Sequence, residues 1–361
     1  VICSAGIFIA LLGARRESAM EREQRDFGAQ LERIEQIRRK NFDAMELWSQ
    51  YLVRTPRLIT AELMREMTGS GVEEETSFCA LLCAVCGLDP EKKPYHRMLL
   101  REYLLPGVKK LEPSVYRADA YCRTVRFPEG SAGRWTMKQE AYEPYEAFVR
   151  AELMLEDSFR EIPCIGFFSE RFSFPAILEE GNEWMTVTPH EIETIAPLAA
   201  AARGCVVTFG LGLGYFAFHG SLRKEVESLT VVERDETLIR LFEEELLPQF
   251  PGRDKIRIVK EDAFDYVRNM EKERFDFAFV DLWHDTSDGL PLYLRMKKLE
   301  RFAPQTEFSY WIERSILSRL RWILFEQLRQ APGGRMGEAG QFLQEELLRT
   351  LAAEAGEDLF A

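Results

Sequence analysis

The chain has 361 residues, 46% of them hydrophobic and 30% charged, with a net charge of −13. These values exclude a disordered or fibrous chain and leave room for about two domains. They also disfavour broad nucleic-acid binding, because an acidic surface repels phosphate backbones.

Seven cysteines, an odd number in a large chain, read as reduced thiols in a cytoplasmic protein and not as a disulfide framework. Residues 1–13 are almost wholly apolar. The run is too short for a bilayer span, which takes roughly 20 residues. Arg15 and Arg16 follow it, whereas a signal peptide carries its basic residues first. Segment 1–19 is read as a mis-assigned start or fragment edge, with a membrane-surface anchor or a docked core segment as alternatives. No membrane span is expected.

Residues 1–158 read as a helical N-terminal domain. Ile34, Ile37, Met45, Trp48 and Leu52 fall at mostly helical spacing. Thr55-Pro56 is a helix-start signal, with Gly69 and Gly71 as stops. A further segment runs from Glu73–Thr76 to Gly87, and a last helix is expected over Tyr145–Leu155. Cys79, Cys83 and Cys86 have the spacing of a four-iron cluster motif. They share one face of an apolar, helix-periodic segment with no strand before it, so core packing is the reading preferred.

Residues 159–188 have strand character and read as a β-hairpin or small sheet, turning at 179–182 (EEGN). Residues 189–330 alternate helix and strand. Thr188-Pro189-His190-Glu191 is a capping box. Four short apolar runs follow: CVVTF, LTVVE, KIRIV and FDFAFVD. This pattern indicates a parallel sheet with helices on both faces, an α/β Rossmann-like doubly wound sheet. At most one further strand, near Phe308–Ile312, can be found, which implies a shortened sheet or one completed by other elements. Residues 331–361 read as an acidic amphipathic helical tail.

The chemistry concentrates at the strand ends. Gly210, Gly212 and Gly214 follow the first apolar strand and precede a helix, where backbone must turn tightly or approach an anion. Glu233 ends the next strand, about 20 positions on, placed to accept hydrogen bonds from ribose hydroxyls. Asp262, with Ala263 beside it, follows the third strand and can bond an adenine amino group. Asp281 ends the fourth, at the mouth where open α/β sheets bind ligands. His284 and Asp285 follow it as candidate bases beside Asp281. Trp283 reads as core or pocket wall, and Tyr215 as a ligand cover or a packing residue. His190 and Glu193 read as capping and packing residues, and His96 and His219 as structural. The glycines do not match G-x-G-x-x-G, because position 215 is Tyr, which disfavours a nicotinamide dehydrogenase.

The order GLGLG, VVERDETLI, KEDAFDYV, FDFAFVD resembles class I S-adenosylmethionine-dependent methyltransferases, and within them the spermidine synthase branch. The resemblance covers roughly residues 165–300. It implies that S-adenosylmethionine binds with its methionine part on Gly210, Gly212 and Gly214, its ribose on Glu233 and its adenine on Asp262 and Ala263. Many methyltransferases carry an acid two positions before the first glycine, where this chain has Thr208. The branch also carries two aspartates three apart, where this chain has Asp281 and His284. The expected function is methyl transfer to a small molecule, with Asp281, His284 or Asp285 as base. The alternatives are aminopropyl transfer and a non-catalytic nucleotide-fold interaction protein. Whether the chain forms a homo-oligomer is left open.

Overall fold

The computed structural model describes residues 2–69, 71–270 and 274–330, with side chains from residue 28 to 327 and at Arg329. The expected acidic tail at 331–361 lies outside the described residues, as do the side chains of the apolar run at 1–13. The chain divides into two compact units. One gathers residues 1–43, 155–161 and 320–361; the other comprises 44–154 and 162–319. This division does not follow boundaries near 158 and 188. The expected helical half and the nucleotide-type sheet share the larger unit.

The first helix, α1 (Ile2–Arg54), carries the helical spacing read from its sequence. In the smaller unit its Asn41 accepts from the Glu161 amide at 3.1 Å and donates to the Phe159 carbonyl at 2.9 Å. Glu161 is buried there and accepts from the Trp322 indole at 2.7 Å. Glu35 binds Arg38, Arg39 and Arg329, and the Arg38 hydrogen bond leads in pulling its pKa down to about 2.

In the larger unit, α2 (Ala61–Thr68) is capped by Thr60 and not by the expected Thr55-Pro56, because the Thr60 hydroxyl is the one that reaches the Leu63 amide. Helix α3 (Glu74–Val85) carries the cysteine trio, with Cys79 and Cys83 buried in an apolar cluster that includes Trp48, Phe78 and Phe167. Burial pushes the Cys79 thiol up to about 12, which suits packing and not ligation. Strand β1 (Val108–Leu111) and a short helix, α4 (Ala120–Thr124), follow. Strands β2 (Gly130–Ala132), β3 (Trp135–Tyr142) and β4 (Phe148–Val149) come next. The helix expected over Tyr145–Leu155 is therefore absent. Tyr145 has φ +63°, outside the helical region, and its amide donates to the Phe168 carbonyl at 2.7 Å.

Strands β5 (Ile165–Phe168), β6 (Phe172–Glu179) and β7 (Asn182–Thr186) supply the expected strand region. β1, β5 and β4 form a small sheet, and β2-β3-β6-β7 an antiparallel one. The β6–β7 hairpin turns on Glu180 and Gly181, both at positive φ, the pairing that matches strand twist in a two-residue turn.

The second half follows its sequence pattern closely. Helix α5 (Pro189–Ala201) opens with the expected Thr188–Glu191 capping box. Strand β8 (Gly204–Phe209) leads into α6 (Tyr215–Leu222), and β9 (Val226–Glu233) into α7 (Glu236–Leu241). Strand β10 (Ile256–Lys260) precedes α8 (Ala263–Arg268), and β11 (Phe277–Val280) precedes α9 (Thr286–Leu299). Strand β12 (Glu307–Tyr310) and α10 (Glu313–Gln330) complete the series. The sheet order is β10-β9-β8-β11-β12, and every pair is parallel. It is a five-stranded Rossmann-like sheet, shortened as the strand count implied. Successive strands are added outward from β8 on one side through β9 and β10 and then on its other side through β11 and β12. That change of side is the switch point where the ends of β8, β9 and β11 leave a crevice for a ligand. Among the described residues, no helix is long and apolar enough to cross a membrane.

Candidate functional site

A cavity of about 420 Å³ opens at that crevice. Gly210, Leu211, Gly212 and Leu213 of the glycine loop line it. Gly210 has φ +95°, and a side chain there would begin 2.0 Å from the Asp281 carbonyl. Only glycine permits that approach of two strand ends. Gly212 has φ +53° with nothing within 4 Å of where a side chain would begin, so its face toward the cavity is open. Gly214 has φ +76°, and a side chain there would strike Phe242 and Phe250.

Glu233 holds the loop at one end. One of its carboxylate oxygens accepts from the Leu211 amide at 3.2 Å; the other accepts from the Arg234 and Asp235 amides, both at 2.8 Å. Its carboxylate keeps spare acceptor capacity on the oxygen that meets Leu211, so Glu233 can shape the loop and still accept from a diol. Asp262 accepts from the Phe264 and Asp265 amides through one oxygen, capping α8, and lines the cavity with Ala263. Five of the six residues assigned to the nucleoside thus line one cavity. Gly214 does not, because the turn that starts α6 faces Phe242 and Phe250 there.

The other end of the cavity is acidic. Asp281 lies half-buried at the end of β11, and its amide donates to the Phe209 carbonyl at 2.9 Å. Burial, followed by repulsion from Glu191, raises its carboxyl to about 7. Glu191 accepts from the amide and hydroxyl of Thr188 and also faces the cavity. Glu183, on β7, is raised by the protein around its carboxyl, then by Glu191 and Glu140, while His284 and Lys138 pull it down. His284 is exposed and stacks on Trp184 of β7, with ring centroids 5.9 Å apart and planes at 14°. Trp283 is buried, stacks on Tyr310 and forms a wall. Asp285 is not brought to the cavity. Its carboxylate caps α9, accepting from the Ser287 amide at 2.5 Å, because the chain turns into a helix at that residue.

Three features escaped the sequence. Glu183 and Trp184 lie on a hairpin whose only local signal is strand character. Glu191 carries a capping signal that conceals its second role. Arg134 lines the cavity beside the nucleoside end. It bonds Asp235 at 2.7 Å and Glu179 at 3.1 Å, and its guanidinium lies 4.8 Å over the Trp135 ring. Of the two other candidates, Glu193 accepts from Tyr116 and Arg150, and His190 packs edge-on to Trp311. Among the described residues, no group of His, Cys, Asp or Glu could hold a metal ion.

No family model matches the chain. No curated protein matches it either. Among solved structures, it is similar to a spermidine synthase from Thermotoga maritima at 18% identity and a TM-score of 0.30, covering 42% of this chain and 58% of that one. It is also similar to a spermidine synthase in complex with the transition-state analogue AdoDATO, at 20% identity and a TM-score of 0.26, covering 34% and 47%. The chain thus spans less than two thirds of either structure.

Proposed function

We propose that the cavity binds an adenosyl sulfonium against the glycine loop and a cationic amine against the acidic end, and that it transfers a carbon group from sulfur to nitrogen. The donor that fits best is decarboxylated S-adenosylmethionine, which makes the reaction an aminopropyl transfer. One observation carries this reading: Glu183, Glu191 and Asp281 converge on one end of the cavity, while of the two arginines in its lining Arg134 is already bonded to Asp235 and Glu179 and Arg234 follows Glu233 at the nucleoside end. Glu183 and Asp281, raised by burial and then by the charge of Glu191, gain from a cation placed beside them. A donor that kept its own carboxylate would add to the repulsion.

The nucleoside would rest on Gly210 and Gly212, with Gly214 shaping the turn behind them, its ribose on Glu233 and its adenine beside Asp262 and Ala263. The bound sulfonium supplies an already activated leaving group, so the protein has mainly to position the reactants. The attacking nitrogen is neutral: its lone pair forms the N–C bond as the C–S bond breaks, the C–S electron pair stays on sulfur to give a neutral thioether, and Asp281 accepts the proton that this nitrogen sheds. A carboxyl near 7 is suited to that exchange at neutral pH. Glu191 and Glu183 hold the positive charge on the diamine's other nitrogen, and Trp184 with His284 wall its path.

Calorimetry tests the reading with decarboxylated S-adenosylmethionine, S-adenosylmethionine and methylthioadenosine. The first and third should bind, and the first should turn over with a diamine acceptor. Tighter binding of S-adenosylmethionine, with methyl transfer to an amine, would replace this reading with methyl transfer. Binding of none of the three would leave a non-catalytic fold.

A further inference from the structure

The glycine loop is held at both ends, and the second hold comes from outside the sheet. Glu233 grips Leu211. At the far end, the Tyr121 hydroxyl donates to the Leu213 carbonyl at 2.7 Å, and both residues are buried. Tyr121 belongs to α4, which lies about ninety positions earlier in the chain. Its ring packs against Tyr215, Phe218 and Phe250, with centroids 5.6, 5.4 and 6.2 Å away. Asp119, which caps α4, reaches the same place. Its carboxylate accepts from the Tyr215 hydroxyl at 3.0 Å and meets the His219 Nε2 at 3.2 Å, while accepting from the Tyr121 amide at 2.8 Å. Tyr121 and Asp119 therefore link α4 to the loop and the first turns of α6.

We infer that Asp119 and Tyr121 form a clamp that fixes the glycine loop in its ligand-binding conformation before any ligand arrives. Gly210 and Gly214 have the Asp281 carbonyl and Phe242 close to where a side chain would begin, but Gly212 has open space there. A glycine with that freedom samples many backbone states unless its flanks are fixed. Glu233 fixes the flank at Leu211, and Tyr121 fixes the flank at Leu213. The Gly210, Leu211 and Gly214 amides already donate within the protein, so it is the Gly212 and Leu213 amides that are presented to a ligand, with little ordering cost at binding. Tyr121 is a positioning residue, since it acts through the loop and does not line the cavity. The ligand side of this inference rests on the proposed nucleoside site; the loop side does not.

The test compares the full chain with Tyr121→Phe and Asp119→Asn. Hydrogen exchange of the ligand-free proteins reads the loop directly. Tyr121→Phe should speed exchange at amides 211–216 about tenfold, the equivalent of one buried hydrogen bond, and leave β9 and β11 unchanged. Asp119→Asn keeps the side-chain shape and should give a smaller increase in the same peptides. Affinity for decarboxylated S-adenosylmethionine should fall about tenfold in Tyr121→Phe, with the KM for the amine unmoved. Faster exchange across every strand would make Tyr121 a general stability residue and overturn the clamp. Unchanged exchange in 211–216 would overturn it as well, as would a loosened loop with undiminished donor affinity. If the parent protein binds neither decarboxylated S-adenosylmethionine nor methylthioadenosine, the proposed function fails, and the exchange data decide the clamp alone.

Discussion

Asp281 joins the chemistry of the site to the stability of the fold. Its carboxyl is raised from the usual value near 4 to about 7, first by burial and then by Glu191. As the proton acceptor it must be ionised, so the rate should climb as pH rises through about 7. Asp281→Asn should abolish that limb and lower kcat by about two to four orders of magnitude, as a pH–rate profile will read. Glu191→Gln removes the repulsion and should move the limb to lower pH. The stability sign is opposite. Between about pH 4 and 7 the native state keeps a proton that the unfolded chain has lost, so the native state loses stability as pH rises across that window. Asp281→Asn should therefore melt higher than the parent, with a gap that opens from pH 4 to 7 and is flat above, worth no more than about 4 kcal/mol. The loop glycines separate in the same way. Gly210→Ala drives a side chain into the Asp281 carbonyl at positive φ and should cost about 3 kcal/mol or more. Gly212→Ala meets no atom and should cost about 1 kcal/mol, read as a smaller fall in melting temperature.

At the scale of elements, the strands of the large parallel sheet were legible and the first half only in part: α1 and α3 were read from their spacing, whereas β2, β3 and β4 were not. CVVTF, LTVVE and FAFV are largely buried, so each reads as a nearly unbroken apolar run, and the run itself marks the residues at its end. The segment around Tyr145 could not be read this way. Its spacing suits a helix, but a tertiary bond to the Phe168 carbonyl holds Tyr145 at positive φ. The acidic end of the cavity was only one-third legible for a related reason. Asp281 lies where a strand end announces it, whereas Glu183 and Glu191 reach the cavity from a hairpin and a helix cap. The β6–β7 hairpin carries a prediction of its own. Trp184 is 44% exposed and covers His284 at the mouth of the acidic end. Trp184→Ala should raise the KM for the amine several-fold and leave donor affinity unchanged. A fall in donor affinity instead would place Trp184 on the nucleoside.

At the scale of the whole molecule, the charge of −13 acquires a direction. It disfavoured a polyanionic partner from the start, and an acidic cavity extends that preference to small ligands. A cationic amine approaching an acidic protein is drawn in by the summed field, and a cleft lined by one sign of charge focuses it. Salt screens that field over about 8–10 Å at physiological ionic strength. The kcat/KM for a diamine should therefore fall as ionic strength rises from about 0.01 to 0.2 M. The fall should be steeper for a diamine than for a monoamine, because two charges feel the field. Binding of methylthioadenosine, which is neutral, should scarcely change over the same range. Glu183→Gln should flatten the diamine slope without altering nucleoside binding. A diamine rate indifferent to salt would mean that the three carboxylates do not recognise the acceptor, and the acidic end would then lose its assigned role.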